Sequence, residues 1–180
     1  KEGYNKILRY EALAELADIK EGKTIVDCSC GNGEEGRVII ERFKPKKYIG
    51  IDLDKKRLAK AIGENPEMKD CYIYGDIRDP LKEQFDYYFC VETLEHLPKS
   101  DNKKVAGVIY AAIKPGGKLL ASVPGNPKIA MDCKGHKQII KKKLLVDMFR
   151  VFDLEAEDTY IKYLPRQEAY SALYIFKKGD

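Results

Sequence analysis

Apolar and polar residues recur along the chain with two periods, one typical of strands and one typical of helices. Apolar residues spaced three and four apart predict helices at residues 4–19, 34–43, 55–62, 102–113 and 141–149. Tyr10, Leu13 and Leu16 mark the apolar face of the first helix. Short apolar runs predict strands at residues 24–28, 47–52, 71–74, 86–91, 118–123, 152–160 and 169–176.

The alternation of strands and helices indicates an α/β fold. A mostly parallel sheet with helices on both faces, in three layers, is the simplest arrangement that buries every apolar run. Each crossover between parallel strands is expected to be right-handed. The last two strands have little chain between them, so they predict a hairpin and one antiparallel edge strand.

The length of 180 residues predicts one domain over residues 1–180, with an N-terminal helix over residues 1–20. The longest stretch of loop character spans residues 124–138, and a loop of that length in a compact domain is often functional. The chain is 44% hydrophobic and 34% charged, which is typical of a folded core with a solvated surface. No apolar run approaches the ~18 residues of a membrane span, and no signal peptide opens the chain.

The cysteine pattern bears on the redox compartment of the protein, and the net charge bears on the ligands that it could attract. There are five cysteines, an odd number without a paired Cys-x-x-Cys spacing, so neither a disulfide framework nor a zinc site is indicated. A reducing, cytoplasmic setting fits best.

The net charge is +4. Part of the excess lies in one short stretch, which is either a solvated helix face or a rim that attracts phosphates or an acidic acceptor. This stretch contains Lys134, Lys137, Lys141, Lys142, Lys143 and Arg150.

A glycine-rich turn between the first strand and the second helix is the first candidate binding element. Residues 31–36 read Gly-Asn-Gly-Glu-Glu-Gly, which matches the G-x-G-x-x-G pattern of dinucleotide-binding proteins. Glycines there let the backbone approach a ligand, and the helix N-terminus favours a carboxylate or a phosphate. On this turn alone, NAD and S-adenosylmethionine (SAM) are equally good ligands, and a purely structural tight turn is the third interpretation.

Three acidic residues at strand ends favour SAM. Asp27, four residues before Gly31, would repel a pyrophosphate but suits the ammonium and sulfonium groups of SAM. Asp52 ends the second strand, where a carboxylate accepts hydrogen bonds from ribose hydroxyls. Asp76 follows the third strand, where an adenine amino group can donate to it.

The ordered set of motifs resembles the class I SAM-dependent methyltransferases. The motifs cover roughly residues 24 to 160 and comprise Ile-Val-Asp-Cys-Ser-Cys-Gly-Asn-Gly at 25–33, Gly-Ile-Asp at 50–52, Gly-Asp at 75–76, Phe-Asp-Tyr at 85–87 and Lys-Pro-Gly-Gly at 114–117. At position 29 the family often has glycine, whereas this chain has Ser29. The resemblance is therefore weaker at that position but not at the others. The resemblance implies a Rossmann-like methyltransferase fold with a seven-stranded sheet and SAM over the carboxyl ends of its first strands.

The resemblance also implies a role for each cofactor-binding residue. The methionine part of SAM would lie near Asp27, Cys28, Gly31 and Gly33, with the carbonyl of Cys90 or Val91 facing the sulfonium end. Asp52 would hold the ribose. Leu53 would pack on the adenine, and Asp76 and Ile77 would read its edge.

The segment after the fourth strand carries the candidate catalytic chemistry. Glu92, Glu95 and His96 are spaced three and four residues apart, so they share one face if the turn is helical. His136, in the 124–138 loop, is expected to overhang the same end of the sheet. His96, Glu95 and His136 are therefore the predicted catalytic residues.

The Glu-x-x-Glu-His pattern resembles the ubiquinone-pathway O-methyltransferases most closely and also the small-RNA 3′-end 2′-O-methyltransferases. In both, the two Glu and the His are associated with a divalent metal, which implies a Mg²⁺, Mn²⁺ or Zn²⁺ site at Glu92, Glu95, His96 and His136. The simpler interpretation is a hydrogen-bonded His–Glu pair that lines the acceptor pocket.

The expected function is methyl transfer from SAM to an oxygen of a small molecule, since the domain leaves little chain for a macromolecule-binding module. RNA 2′-O methylation is the first alternative, supported by the same acidic–histidine cluster and the lysine-rich segment. A SAM-binding partner subunit that transfers no methyl group is the second. An NAD dehydrogenase is disfavoured because no catalytic domain follows the nucleotide-binding half. The sequence leaves the oligomeric state open.

Overall fold

The structure is a computed structural model that describes residues 2–161 and 170–180. Two predicted positions, Lys1 in the first helix and Ala169 at the start of the last strand, lie outside the described residues. The helices are α1 (Glu2–Leu16), α2 (Glu34–Phe43), α3 (Lys55–Glu64), α4 (Asn102–Ala112), α5 (Pro127–Asp132) and α6 (Lys142–Met148). The strands are β1 (Thr24–Cys28), β2 (Lys47–Asp52), β3 (Tyr72–Tyr74), β4 (Phe85–Val91), β5 (Ile113–Pro124), β6 (Asp153–Ile161) and β7 (Tyr170–Lys177).

The seven strands form one sheet in the order β3-β2-β1-β4-β5-β7-β6. Strands β1 to β5 pair in parallel, and β7 is antiparallel to both of its neighbours. The predicted α/β fold with a mostly parallel seven-stranded sheet and an antiparallel pair at one edge is therefore confirmed. In detail, the reversed strand is the inner member of that pair: β7 returns between β5 and the edge strand β6.

Two apolar layers cover the faces of the sheet. One contains Tyr10 and Leu13 of α1, Ile39 of α2 and Leu58 of α3, packed on residues of β1, β4 and β7. The other contains Val105 and Ile109 of α4, Leu145 of α6 and Phe149, packed on β4 and β5. The predicted amphipathic helices thus bury their apolar faces against opposite sides of a sheet whose central strands are mostly apolar on both faces.

Three local elements differ from the sequence expectation. A 3₁₀ helix, Pro66–Cys71, precedes β3, because Asn65 ends α3 and Pro66 starts a tighter turn. The Pro-Gly-Gly turn at 115–117 lies inside β5, whose pairing with β4 shifts register between Phe85 and Tyr87. The 124–138 segment is not all loop, since it contains α5.

No helix in the described part of the chain is long and apolar enough to cross a membrane.

Candidate active site

A cavity of about 850 Å³ opens at the carboxyl ends of the parallel strands. Its size falls within the roughly 300–1,000 Å³ of ordinary ligand pockets, and its position is the one where open α/β sheets bind ligands. The walls come from α1, from the loops after β1 to β4 and from the 124–138 segment. The predicted cofactor residues that line it are Cys28, Asp52, Leu53, Asp76, Ile77 and Val91. The other four, Asp27, Gly31, Gly33 and Cys90, are not part of its wall.

Gly31 and Gly33 support the cavity without lining it, whereas Ser29, Cys30 and Glu35 of the same loop contribute to its wall. Backbone amides of Ser29 and Cys30 donate to the Ile51 carbonyl, at 2.7 and 3.0 Å, which ties the loop to β2. Gly31 and Gly33 adopt φ values of +62° and +78°. Ser29 also has a positive φ, +71°. This left-handed conformation explains why glycine suits position 29 and why the serine of this chain is strained there.

Asp27 is fully buried and does not line the cavity. Its two carboxylate oxygens accept hydrogen bonds from Tyr10 Oη (2.9 Å) and Tyr48 Oη (3.2 Å). Burial raises the pKa of Asp27 to about 7, against the lowering effect of the Tyr10 hydrogen bond. The expected direct contact of Asp27 with a ligand ammonium therefore has no support in this geometry, because two tyrosine hydroxyls and the core already surround the carboxylate.

Asp52 borders the cavity at the end of β2. Its Oδ2 accepts from the Gly31 amide and its Oδ1 from the Asp54 amide, both at 2.8 Å. Each carboxylate oxygen has a second lone-pair direction, so the side chain retains capacity to accept hydrogen bonds from a ribose. Leu53, next along the chain, lines the cavity and is more than half exposed.

Asp76 borders the cavity after β3, but it carries an ion pair that the sequence did not predict. The Arg78 guanidinium donates to both of its carboxylate oxygens, and Arg78 also reaches Asp101 at 3.1 Å. The Arg78 hydrogen bonds lower the pKa of Asp76, so the carboxyl is ionised at neutral pH. Asp76 is thereby held rigidly at the cavity wall.

Glu92 does not share a helical face with Glu95 and His96, which corrects the sequence expectation. The 3₁₀ turn begins only at Leu94, and Glu92 lies before it with φ at +48°. Its Oε1 accepts a hydrogen bond from Ser122 Oγ at 3.0 Å. Glu92 lines the cavity, but it is not one of the three residues whose donor atoms lie within 4.8 Å of one another.

Glu95, His96 and His136 do come together. Each offers a donor atom, and all three atoms lie within 4.8 Å of one another. The two imidazole rings meet edge to face with their centroids 4.7 Å apart. Two atoms bound to one ion at about 2.0–2.2 Å are separated by at most about 4.4 Å, so the trio needs only a small inward shift to hold a metal.

Backbone carbonyls fix the tautomer of both histidines. His96 Nδ1 contacts the Gly135 carbonyl at 3.2 Å, and His136 Nδ1 contacts the Ala130 carbonyl at 2.7 Å. Because a carbonyl oxygen only accepts, Nδ1 carries the proton in both rings. Each neutral ring therefore leaves Nε2 with a free lone pair, which suits a base or a metal ligand.

Glu95 is buried, and the charge of Arg9 offsets only part of the effect of burial on its pKa. Neither carboxylate oxygen has a hydrogen-bond partner among the residues that the structure describes. Burial, together with the nearby Glu92 charge, raises the pKa of Glu95 to about 8. Burial also lowers the pKa of His96. A raised carboxyl pKa beside an imidazole with a lowered pKa is typical of reactive sites.

Two wall residues from α1 were missed at the sequence level. Arg9 is 3% exposed and Tyr10 is 5% exposed, and both line the cavity. The signal was an arginine four residues before Leu13, on the apolar face of the first helix. A charged residue on a buried helix face is uncommon unless it meets a partner or a ligand.

The donor set fits SAM. Carboxylates at the ends of β2 and β3 are placed to accept hydrogen bonds, Leu53 and Ile77 provide apolar wall, and the volume is sufficient for a nucleoside carrying an amino-acid chain.

Comparison with known proteins supports the same identity. Residues 25–117 match the family model of a methyltransferase domain. The chain is 34% identical over 128 residues to phosphoethanolamine N-methyltransferase 2 of Caenorhabditis elegans, a match that covers 68% of this chain and 28% of that protein. It is 32% identical over 127 residues to the ubiquinone biosynthesis O-methyltransferase of Pseudomonas paraeruginosa, covering 67% of this chain and 53% of that protein. The matched part of this chain thus spans 28% of the first relative's length and 53% of the second's.

A solved structure shows the same fold. Haemonchus contortus phosphoethanolamine N-methyltransferase 2, in complex with SAM, superposes with a TM-score of 0.76 at 16% identity, covering 96% of this chain and 52% of that one. The family match spans more than half of the chain and includes the glycine loop and the acids that border the cavity. The chain therefore belongs to the class I SAM-dependent methyltransferases.

Proposed function

We propose that the protein transfers the methyl group of SAM to an oxygen atom of a small molecule, with Glu95, His96 and His136 on the acceptor side of the cavity. The observation that carries the proposal is the pair of imidazoles whose Nε2 atoms are free to accept a proton. A hydroxyl acceptor must lose its proton during transfer, whereas a neutral amine attacks through a lone pair that it already has. A proton-accepting cluster is therefore needed more by an oxygen acceptor.

When bound, SAM supplies an activated methyl group that undergoes in-line displacement. The residues of the chain hold the acceptor oxygen at near-attack distance, roughly 3–3.5 Å, and receive its proton. His96 suits the second task because its lowered pKa keeps it neutral at pH 7. Lys137 and other residues of the 124–138 segment, including Ala130 and Cys133, form the cavity wall on the same side.

The same trio would hold a divalent metal such as Mg²⁺, Mn²⁺ or Zn²⁺, with Glu92 left outside the ligand set. The donors suit these ions, since one carboxylate and two neutral imidazoles match their usual ligands. A bound ion would lower the pKa of the acceptor hydroxyl.

RNA is the less favoured acceptor. In the lysine-rich segment, Lys142 pairs with Glu157 and Lys143 with Asp147, so these charges are partly neutralised. Among the lysines of the described residues, Lys137 alone lines the cavity.

All five cysteines are free thiols, which supports a reducing, cytoplasmic location.

The test is a transfer assay with methyl-labelled SAM against three pools: small hydroxyl compounds, small amines and RNA. We expect label in the hydroxyl pool, and a loss of about 100-fold or more in His96→Ala, as is usual for removal of a general base. Lys134→Ala is the control, since Lys134 is exposed in the same segment. Loss of activity with EDTA that Mn²⁺ or Mg²⁺ restores would identify a metal. Label in amines alone, with His96→Ala fully active, would refute the oxygen acceptor.

A further inference from the structure

A second cavity, of about 540 Å³, is a surface groove between α4 and α6. Among the described residues it shares no wall residue with the catalytic cavity. The α4 side presents Lys103, Gly107 and Tyr110, which are spaced four and three residues apart and therefore lie along one face of the helix. Leu144 and Met148 line the α6 side at the same kind of spacing. A groove between two helices is a shape into which a third helix can pack.

The apolar part of the groove wall is partly open to solvent. Tyr110 is 37% exposed and Val151 is 58% exposed, and both line the groove beside Met148. The Tyr110 ring packs edge to face on Phe152, with the centroids 5.2 Å apart, so its position is fixed. Exposed apolar side chains gathered in one groove, unlike those scattered singly, are typical of an interaction site, and fixed aromatic rings are frequent anchors there.

The charges around the groove are predominantly positive. Lys99, Lys103 and Arg150 line it and are exposed, and none of the three forms a salt bridge with a carboxylate in the described part of the chain. The acid that the structure places in the same wall is Asp147, which pairs with Lys143 at 2.9 Å. A ligand with carboxylates along its edges therefore complements the groove.

Gly107 gives an independent indication that a partner backbone approaches α4. It lies inside that helix, Asn102–Ala112, where glycine is less favourable than alanine. A Cβ at this position would meet no atom within 4 Å, so packing among the described residues does not require glycine. The missing side chain leaves space in the groove wall, and close approach of another backbone is a common reason for glycine in a helix.

Two other kinds of occupant fit these features less well. In a symmetric dimer formed through this groove, Lys99, Lys103 and Arg150 would face the same three cations of a second copy. A membrane surface is flat, whereas the space left by Gly107 lies within a groove between helices. A helix with an apolar face and flanking carboxylates matches both the shape and the charge.

We propose that the groove between α4 and α6 binds an acidic amphipathic helix of a partner protein. The apolar face of that helix packs on Tyr110, Met148 and Val151. Its carboxylates pair with the unpaired cations at the edges of the groove. This interaction is separate from the catalytic cavity, so it depends neither on SAM binding nor on the nature of the methyl acceptor.

The test begins with selection of binders to the wild-type protein from a displayed library of helical peptides of about 18 residues, or five turns. We expect the enriched peptides to be amphipathic, with acidic residues beside the apolar face. The enriched sequences are then synthesised, labelled and titrated by fluorescence anisotropy. Lys103→Glu should weaken their binding by about 10-fold or more, because it places a like charge opposite their carboxylates. Lys104→Glu is the matched control, since Lys104 is exposed on the same helix but does not line the groove.

A second variant separates groove binding from damage to the fold. Gly107→Gln places a side chain in the groove and should also weaken binding by about 10-fold or more. The same variant should unfold about 1–4 °C higher than the wild type, because glutamine favours a helix more than glycine does. Gly63→Gln in α3 is its control: a Cβ there also meets open space, but Gly63 does not line the groove, so peptide affinity should not change.

Four results would overturn the proposal. The first is a selection that enriches no acidic amphipathic helix, and the second is an enriched peptide whose affinity survives both Lys103→Glu and Gly107→Gln. The third is binding to anionic lipid vesicles, in place of peptides, that Lys103→Glu abolishes, which would assign the groove to a membrane surface. The fourth is a dimer in sedimentation that Gly107→Gln dissociates, which would assign it to a second copy of the chain.

Discussion

At the residue scale, the two buried acids near the cavity differ in what surrounds them. Asp27 accepts hydrogen bonds from two tyrosine hydroxyls, whereas Glu95 has no partner among the described residues. The pKa of each is raised chiefly by burial, to about 7 and about 8 respectively. Asp27 thus holds α1 onto the sheet through Tyr10, while the burial of Glu95 without a hydrogen-bond partner is costly to stability.

We predict that Glu95→Gln stabilises the protein at high pH but not at low pH. The Glu95 carboxyl has an ordinary pKa of 4.5 and a folded pKa of about 8, so the fold binds its proton more tightly than the unfolded chain does. The stability from the protonated form is complete below about pH 4.5 and is lost as pH rises towards 8. Thermal unfolding above pH 8 should therefore occur about 2–8 °C higher in the variant, a gain of roughly 1–2 kcal/mol.

Glu41→Gln is the matched control, because Glu41 is exposed at the surface, where it pairs with Arg37. Asp27 titrates in both the wild type and the Glu95→Gln variant, so its contribution to the pH dependence of stability cancels when the two are compared. Parallel stability curves for wild type and Glu95→Gln from pH 4 to pH 9 would contradict the prediction.

At the element scale, the glycine loop contains two glycines with similar backbones and different surroundings. Gly31 and Gly33 both have positive φ, but a Cβ on Gly31 would meet open space. A Cβ on Gly33 would overlap the Tyr72 hydroxyl and lie 2.9 Å from Ala61 Cβ. Gly33 is therefore required by the packing of α2 against β3 and α3, and its role does not depend on ligand contact.

We predict that Gly33→Ala lowers the free energy of unfolding by about 2–4 kcal/mol, since strain and overpacking add. Gly31→Ala should cost only about 1 kcal/mol, the strain of a left-handed alanine. Urea unfolding of both variants measures the difference. Equal losses would show that the Tyr72 side chain moves aside without cost.

At the scale of the whole molecule, the parallel strands bring acids from three different loops to one cavity. This acidic wall disfavours a pyrophosphate and is tolerable for a ligand with one carboxylate and an ammonium. The glycine loop by itself matches a dinucleotide-binding pattern. The acidic wall that the assembled sheet places beside the loop disfavours a dinucleotide as the ligand.

We predict that S-adenosylhomocysteine raises the unfolding temperature and that NAD does not. At 100 times its dissociation constant a ligand adds about 2.7 kcal/mol, or roughly 5–10 °C for a domain of this size. Differential scanning fluorimetry with both ligands at matched concentration is sufficient. A shift with NAD alone would contradict both the cofactor assignment and the electrostatic reason given for it.

The sequence by itself determined the α/β alternation, the glycine loop and the acids at the ends of β2 and β3. These features depend on local patterns: apolar periodicity sets each element, and a strand end fixes where the next side chain lies. His136 was also correctly placed beside Glu95 and His96, because loops after parallel strands share one edge of the sheet.

Only the tertiary structure decided which of these residues reach the cavity. Asp27 is withdrawn because Tyr10 and Tyr48, from two other elements, donate to it. Glu92 lines the cavity but lies outside the Glu95, His96 and His136 cluster, because its backbone turns at a positive φ and its carboxylate accepts a hydrogen bond from Ser122 of β5. Arg9 enters the wall because α1 docks with that face against the sheet. Each outcome is a contact between residues distant in sequence, and a local pattern contains no information about such partners.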